Sequence, residues 1–242
     1  MARRPRLSLV LLASLVALVG CTVATEEKIV KDFFRASRLR DNVALGTFAT
    51  VRFDPNTDGQ VQSFKTLEIA GERSTPVSVR QYAEAVDVAR EAEQSFSKQK
   101  MAYQTSNIKA IERVIRAENQ KKPVARQDAA VQAAWSKWRT DAQHHAKSVS
   151  DARQQLRAVQ GPVQLSLSQP NGRLPDVSKL EGTLVEKDVT VQADIRSPDG
   201  TTVSKTLVVT LARAVMREGN GEPKTGRWIV RRVRPREAQS TS

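Results

Sequence analysis

The sequence predicts an α+β fold: a curved antiparallel sheet packed on N-terminal helices, with a long antiparallel helical hairpin inserted between the first and second strands. Three observations predict it. From Ser78 to Asn119 there is neither proline nor glycine, and apolar residues recur at helical spacing. From Val131 to Val159 the apolar residues alternate by four and three, as they do in a helix packed along one partner. Beyond residue 161 the period drops to two, and proline, asparagine and glycine punctuate the runs.

Composition sets the frame. The 242 residues carry 39 Lys and Arg against 26 Asp and Glu, a formal charge of +13, with one cysteine and two histidines. A single cysteine excludes an intramolecular disulfide framework and a cysteine-rich zinc site. No cofactor and no metal are expected.

The elements follow in order. Thr25 can cap a helix with Glu26 and Glu27 in its first turn, and Ile29, Val30, Phe33, Phe34 and Ala36 form its apolar face. Asp41 or Asn42 starts a second short helix carrying Val43, Leu45, Phe48 and Val51. Asp54 to Gly59 is a turn; it has the acids of a calcium loop, but Lys65 stands where that loop needs glutamate. Val61 to Glu72 reads as a strand, and Ser74, Thr75 and Pro76 open the first long helix. Its seam, Tyr82, Val86, Ala89, Phe96 and Tyr103, slips at Ile108, Ile111 and Ile115. Lys121-Lys122-Pro123 ends it, and the second long helix runs from about Arg126 to Gln160. Together the two predict a hairpin about 55–60 Å long. After Gly161-Pro162, Val163, Leu165 and Leu167 alternate as in a strand, and 171–179 is loop. Long strands over 182–197 and 201–216 meet at Pro198-Asp199-Gly200, and a last strand over 227–234 closes the sheet. The tail, 235–242, is polar and expected to be disordered.

The first twenty residues are of another kind. Arg3, Arg4 and Arg6 precede an apolar run, Leu7 to Gly20, too short to span a bilayer, which a helix of roughly 20 apolar residues does. The run ends in Leu18-Val19-Gly20-Cys21, which resembles the bacterial lipobox. The resemblance implies lipidation of Cys21, removal of residues 1–20 as a signal peptide, a tether over 21–25, and membrane attachment in the bacterial cell envelope. Thr22 after the cysteine favours the outer membrane, facing the periplasm. Loss of Arg3, Arg4 and Arg6 takes the formal charge from +13 to +10. That charge suits anionic headgroups or acidic partners; nucleic acid is not expected for an exported chain.

Two short helices, a strand, a helical excursion, meandering strands and an ending Gly226-Arg227-Trp228-Ile229-Val230 resemble the nuclear transport factor 2-like superfamily. Its members are cones in which a curved sheet wraps helices. The resemblance covers 26–76 and 161–234, with 77–160 as the hairpin. Members include enzymes, ligand-binding modules and interaction domains, so the fold leaves function open.

Candidate site residues are few. Asp41, Asp188 and Asp194 are the acids an isomerase-type enzyme would use, but Asp188 and Asp194 share parity with Gln192 and Arg196 and are expected to face water. His144 and His145 point about 100° apart on a helix, so one metal does not suit both. Trp135, Trp138 and His145 are read as packed seam or as contact residues for a partner. Arg231 and Arg232 are read as a solvated edge or as contacts for phosphate or an acidic partner. The function expected is a non-enzymatic interaction or scaffold module that engages a protein partner or a second copy through the hairpin. The alternatives are a cone holding a small apolar ligand or lipid, and an isomerase. If the 131–159 seam is packed, Leu156→Asp buries an unpaired charge, melts the helices and costs several (~3–5) kcal/mol; circular dichroism and melting temperature check this.

Overall fold

A computed structural model describes residues 25–169 and 173–236. Cys21 and most of the polar tail therefore lie outside the described residues. The chain runs α1 (Thr25–Arg38), α2 (Asn42–Phe48), β1 (Gln60–Ile69), β2 (Arg73–Ser78), α3 (Val79–Asn119), a 3-10 turn (Arg126–Asp128), α4 (Ala129–Leu167), β3 (Leu180–Arg196), β4 (Thr202–Glu218), β5 (Lys224–Thr225) and β6 (Ile229–Pro235). The strands form one antiparallel sheet, curled into half a barrel.

Its spine is the β3–β4 hairpin, paired without interruption from Leu180↔Glu218 to Arg196↔Thr202. Each remaining strand covers half of one spine strand. β1 pairs the far half of β3 (Gln60↔Arg196 to Ile69↔Val189), and β2 pairs its near half (Arg73↔Glu186 to Ser78↔Glu181). On the other side, β6 takes Leu207 to Ala212 of β4 and β5 takes Val215 and Met216.

Helices cover both faces. Successive strand residues point to opposite faces. The odd-numbered Val189, Val191, Ala193 and Ile195 of β3, with Leu207, Val209 and Leu211 of β4, pack on Val30, Phe33 and Phe34 of α1 and Leu45 of α2. The even-numbered Leu184, Ala212, Ala214 and Met216 pack instead on Val79, Val163, Leu165 and Val177. Because the spine register never shifts, the two cores lie on opposite faces, α1 and α2 on one and the bases of the long helices on the other. Each fully buried Val, Leu or Phe contributes on the order of 1.5–3 kcal/mol.

The N-terminal end of α1 is fixed by charge. Lys187 Nζ lies 2.7 Å from Glu26 and 3.4 Å from Glu72. The Trp228 ring lies beneath both Lys187 and Arg213. The Glu26 carboxyl is held below its ordinary range chiefly by the Lys187 hydrogen bond, and Lys187 is raised by the same contact.

Three expectations need correction. Ser74, Thr75 and Pro76 do not open a helix; they lie in β2, and the helix begins after Ser78, whose Oγ accepts from Gln81 N–H. Proline is tolerated there because β2 is an edge strand, paired only with β3. The long helices accordingly fall between β2 and β3. Gly161-Pro162 does not end the second long helix, which continues to Leu167. A proline inside a helix costs about 3 kcal/mol, and burial of Pro162, Val163 and Leu165 opposes that cost. Finally, Pro235 ends β6 rather than starting a tail.

The extra turn of α4 is pinned by Ser166, which is 1% exposed. Its Oγ donates to the Arg227 carbonyl (2.7 Å) and accepts from Ala214 N–H (2.9 Å), and its own carbonyl accepts from Arg227 N–H (2.9 Å). The helix lies so close that a Cβ on Gly226 would sit 2.3 Å from Ser166 Oγ and 2.7 Å from its carbonyl oxygen. Gly226→Ala is therefore expected to destabilise by about 1–3 kcal/mol. Gly46→Ala, in α2 with nothing within 4 Å of the new methyl, should stabilise by about 0.5–1 kcal/mol. Chemical denaturation of the two variants checks both signs.

Candidate functional site

The two long helices pack on the sheet only at their bases, through Val79 on α3 and Leu156 to Leu165 on α4. Beyond that they pack on each other. A ladder of rings lies between them: His145 against Phe96 (4.6 Å between centroids), Phe96 against Trp138 (5.3 Å) and Trp138 against Tyr103 (5.7 Å). As α3 advances seven residues from Phe96 to Tyr103, its partner on α4 retreats seven, from His145 to Trp138, so these limbs are antiparallel.

The pairing then changes. Asn107 leaves the helical region (φ −121°, ψ 16°), and its side-chain amide donates to the Tyr103 carbonyl. Past this break the partners run the other way: Arg113 meets Asp128, and Glu118 meets Arg139. The limb 108–119 folds back and descends alongside the first turns of α4, burying Ile111 (3% exposed), Val114 (0%) and Trp135 (8%). The slip of the apolar pattern at Ile108, Ile111 and Ile115 is this reversal. The single straight pair of helices expected from the sequence is thus replaced beyond Asn107 by a small three-limbed cap.

Two ion pairs hold the cap. Arg113 Nε and Nη2 donate to Asp128 at 2.9 and 2.6 Å, a two-pronged geometry stronger than a single contact. Arg139 donates to both oxygens of Glu118 at 2.9 and 3.0 Å. Both carboxyls lie below their ordinary range, each held there chiefly by its arginine. Neither pair carries a sequence signal, because the break that brings the partners together has none beyond the slipped seam.

The site residues read from the sequence separate into two groups. Trp135, Trp138 and His145 come together as packing between the helices, with Lys100 over the Trp135 ring at 5.4 Å. His144, by contrast, is exposed. Arg231 and Arg232 part company. Arg231 pairs with Glu186, whereas Arg232 is exposed. Asp41 caps α2, accepting from Ala44 N–H. Asp188 does not face water as expected: its side chain is 16% exposed, bonded to Thr210 Oγ1 and Arg73. Asp194 accepts from Ser63 Oγ. Asp54 and Asp58 bond backbone N–H groups of their own turn. Among the described residues no group of three or more potential metal ligands occurs, and no helix is long and apolar enough to cross a membrane.

What the sequence did not single out is the outer surface of α3. Val88 and Met101 are each 67% exposed, Ile108 51% and Ile115 37%, and Ile108 and Ile115 border the cap. Large apolar side chains so exposed on one helix point to a contact surface. No protein-family model matches the chain, and no curated protein or solved structure matches it.

The pH dependence of the cap follows from its carboxylates. Each is depressed in the folded state, so its stabilisation is full above the ordinary carboxylate range and is lost as pH falls through the depressed value. Asp128→Asn should therefore lower the melting temperature most at neutral pH, and the gap to the unsubstituted chain should shrink as acid protonates Asp128. Thermal melts followed by circular dichroism from pH 7 downward measure that gap.

Proposed function

We propose that this chain is an exported bacterial lipoprotein, anchored through Cys21 in the outer membrane and facing the periplasm. On this reading a nuclear transport factor 2-like domain carries a long helical insertion as its docking arm, and the chain is a non-enzymatic interaction module. The observation that carries the reading is the exposed apolar surface of α3, from Val88 through Met101 to Ile108, on helices backed by the sheet only at their bases. A structural part for the acids supports a non-catalytic reading: Asp41 caps a helix, and Asp188 and Asp194 bond neighbouring strands. The Gly226-Arg227-Trp228 ending supports the fold assignment, since each residue has a structural part there. Gly226 permits the close approach of α4, Arg227 bridges Thr47 and Ser168, and Trp228 is a platform for Lys187 and Arg213.

Two experiments test it. Cells fed labelled palmitate should incorporate it into the chain and not into Cys21→Ala; label in the variant would refute the anchor. Photo-crosslinkers at Met101 and Ile108 in living cells should give a discrete protein adduct, of twice the chain's mass for a second copy or another mass for a different partner. A crosslinker at exposed Ser204, on the sheet, should not give that adduct. Absence of any adduct from α3 would contradict the docking arm.

A further inference from the structure

The space between the sheet and α1 is filled by Phe33, Phe34 and the strand valines. A separate crevice of about 350 Å³ opens at the far end of the sheet, between the segment 51–58 and the strands β4 and β6. It lies on the edge of the sheet, outside the filled interior.

Its floor is apolar, made by Phe53, Ile195, Leu207 and Val233. The wall is fixed from behind: Phe53 packs edge-on against Phe34 of the main core, 5.7 Å between ring centroids. The turn that carries the wall is closed by Asp58, whose carboxylate accepts from Asp54 N–H at 2.7 Å. The crevice is therefore held open by groups whose bonds point elsewhere.

The lining is also basic. Arg52, Lys205, Arg232 and Arg234 contribute to it, and Asp58 is the one acid. Elsewhere on the sheet the cations are matched: Arg73 with Asp188, Lys187 with Glu26, Arg213 with Glu72 and Arg231 with Glu186. The four cations of the crevice are exposed and form no ion pair among the described residues. Like charges gathered around one apolar cleft repel one another, and an anion seated there relieves the repulsion. A crevice with an apolar floor and a few charged groups has the make-up of a small-molecule site, and its volume falls within the roughly 300–1,000 Å³ usual for one.

We propose that this crevice binds a small anionic amphiphile, with its apolar body on Phe53, Leu207 and Val233 and its acid group among Arg52, Lys205, Arg232 and Arg234. A free inorganic anion would leave the apolar floor unused, and a neutral apolar molecule would leave the cations unmatched. The combination selects both parts in one ligand.

The experiment uses the full chain in its native membranes and a diazirine-bearing octanoate as the probe, with labelled peptides mapped by mass. Label should concentrate on the segments around 51–58, 205–209 and 232–235. Octanoate should compete it away, whereas octanol and inorganic phosphate should not. Lys205→Gln combined with Arg234→Gln should lower labelling there about tenfold, the loss of one charge-assisted contact. Both residues are exposed, so circular dichroism should be unchanged; if the variant does not fold, the competition series on the unsubstituted chain decides. Label spread evenly over the surface, or none in the crevice, would overturn the proposal. So would equal competition by octanol, which needs no acid group, or full competition by phosphate alone, which needs no apolar body.

Discussion

The structure depends on one junction, where the last turn of α4 meets the strands. Ser166 is its centre, bonded through Oγ to Ala214 and Arg227 and through its carbonyl to Arg227 again. Arg227 extends the junction: its guanidinium donates to the Thr47 carbonyl of α2 and to Ser168 Oγ, at 2.5 and 2.7 Å. Four elements, α2, α4, β4 and the start of β6, are thereby tied at one buried point. Buried polar groups that are all satisfied define one arrangement, because any slip leaves several of them unpaired in a dry interior.

The direction of the helical arm follows from that junction. The second core, on the reverse of the sheet from α1, is completed by Val163 and Leu165, and these reach it only because α4 continues through Pro162. From there outward α4 is a strut of regular helix, and α3 meets it ring against ring until Asn107. Function and stability thus draw on separate regions. The sheet and its two cores hold the base, while the outer helices bury few residues and leave Val88, Met101 and Ile108 exposed.

Much of this is legible in the sequence, for reasons that can be named. Apolar spacing marks α1, both long helices and the spine hairpin, since burial on one face writes itself as periodicity. Asp41 and Ser78 act through local capping, although α3 starts later than the sequence suggests, because Ser74, Thr75 and Pro76 have the chemistry of a helix opening. The misreadings share a cause: long-range contacts override local preference. Pro162 lies in a helix because the turn beyond it has Ala214 and Arg227 to bond, about 50 and 60 residues on. Val163, Leu165 and Leu167 alternate like a strand yet fold as helix for the same reason. At the site, Trp135, Trp138 and His145 are recognisable as a group, but the reversal at Asn107 that sets the cap around Trp135 shows only as a slipped seam. The unmatched cations at the crevice are invisible except for Arg232, because Arg52 and Lys205 come from distant segments.

The central claim is that the Ser166 junction sets the long helices rigidly on the sheet. Pulsed electron spin resonance distances between unnatural-amino-acid spin labels at Lys147 on α4 and Ser204 on β4, both exposed, test it most directly. The account predicts one narrow distance distribution in the unsubstituted chain and a broad one in Ser166→Ala, with helical content unchanged. A distribution already broad in the unsubstituted chain, or one equally narrow in Ser166→Ala, would contradict it.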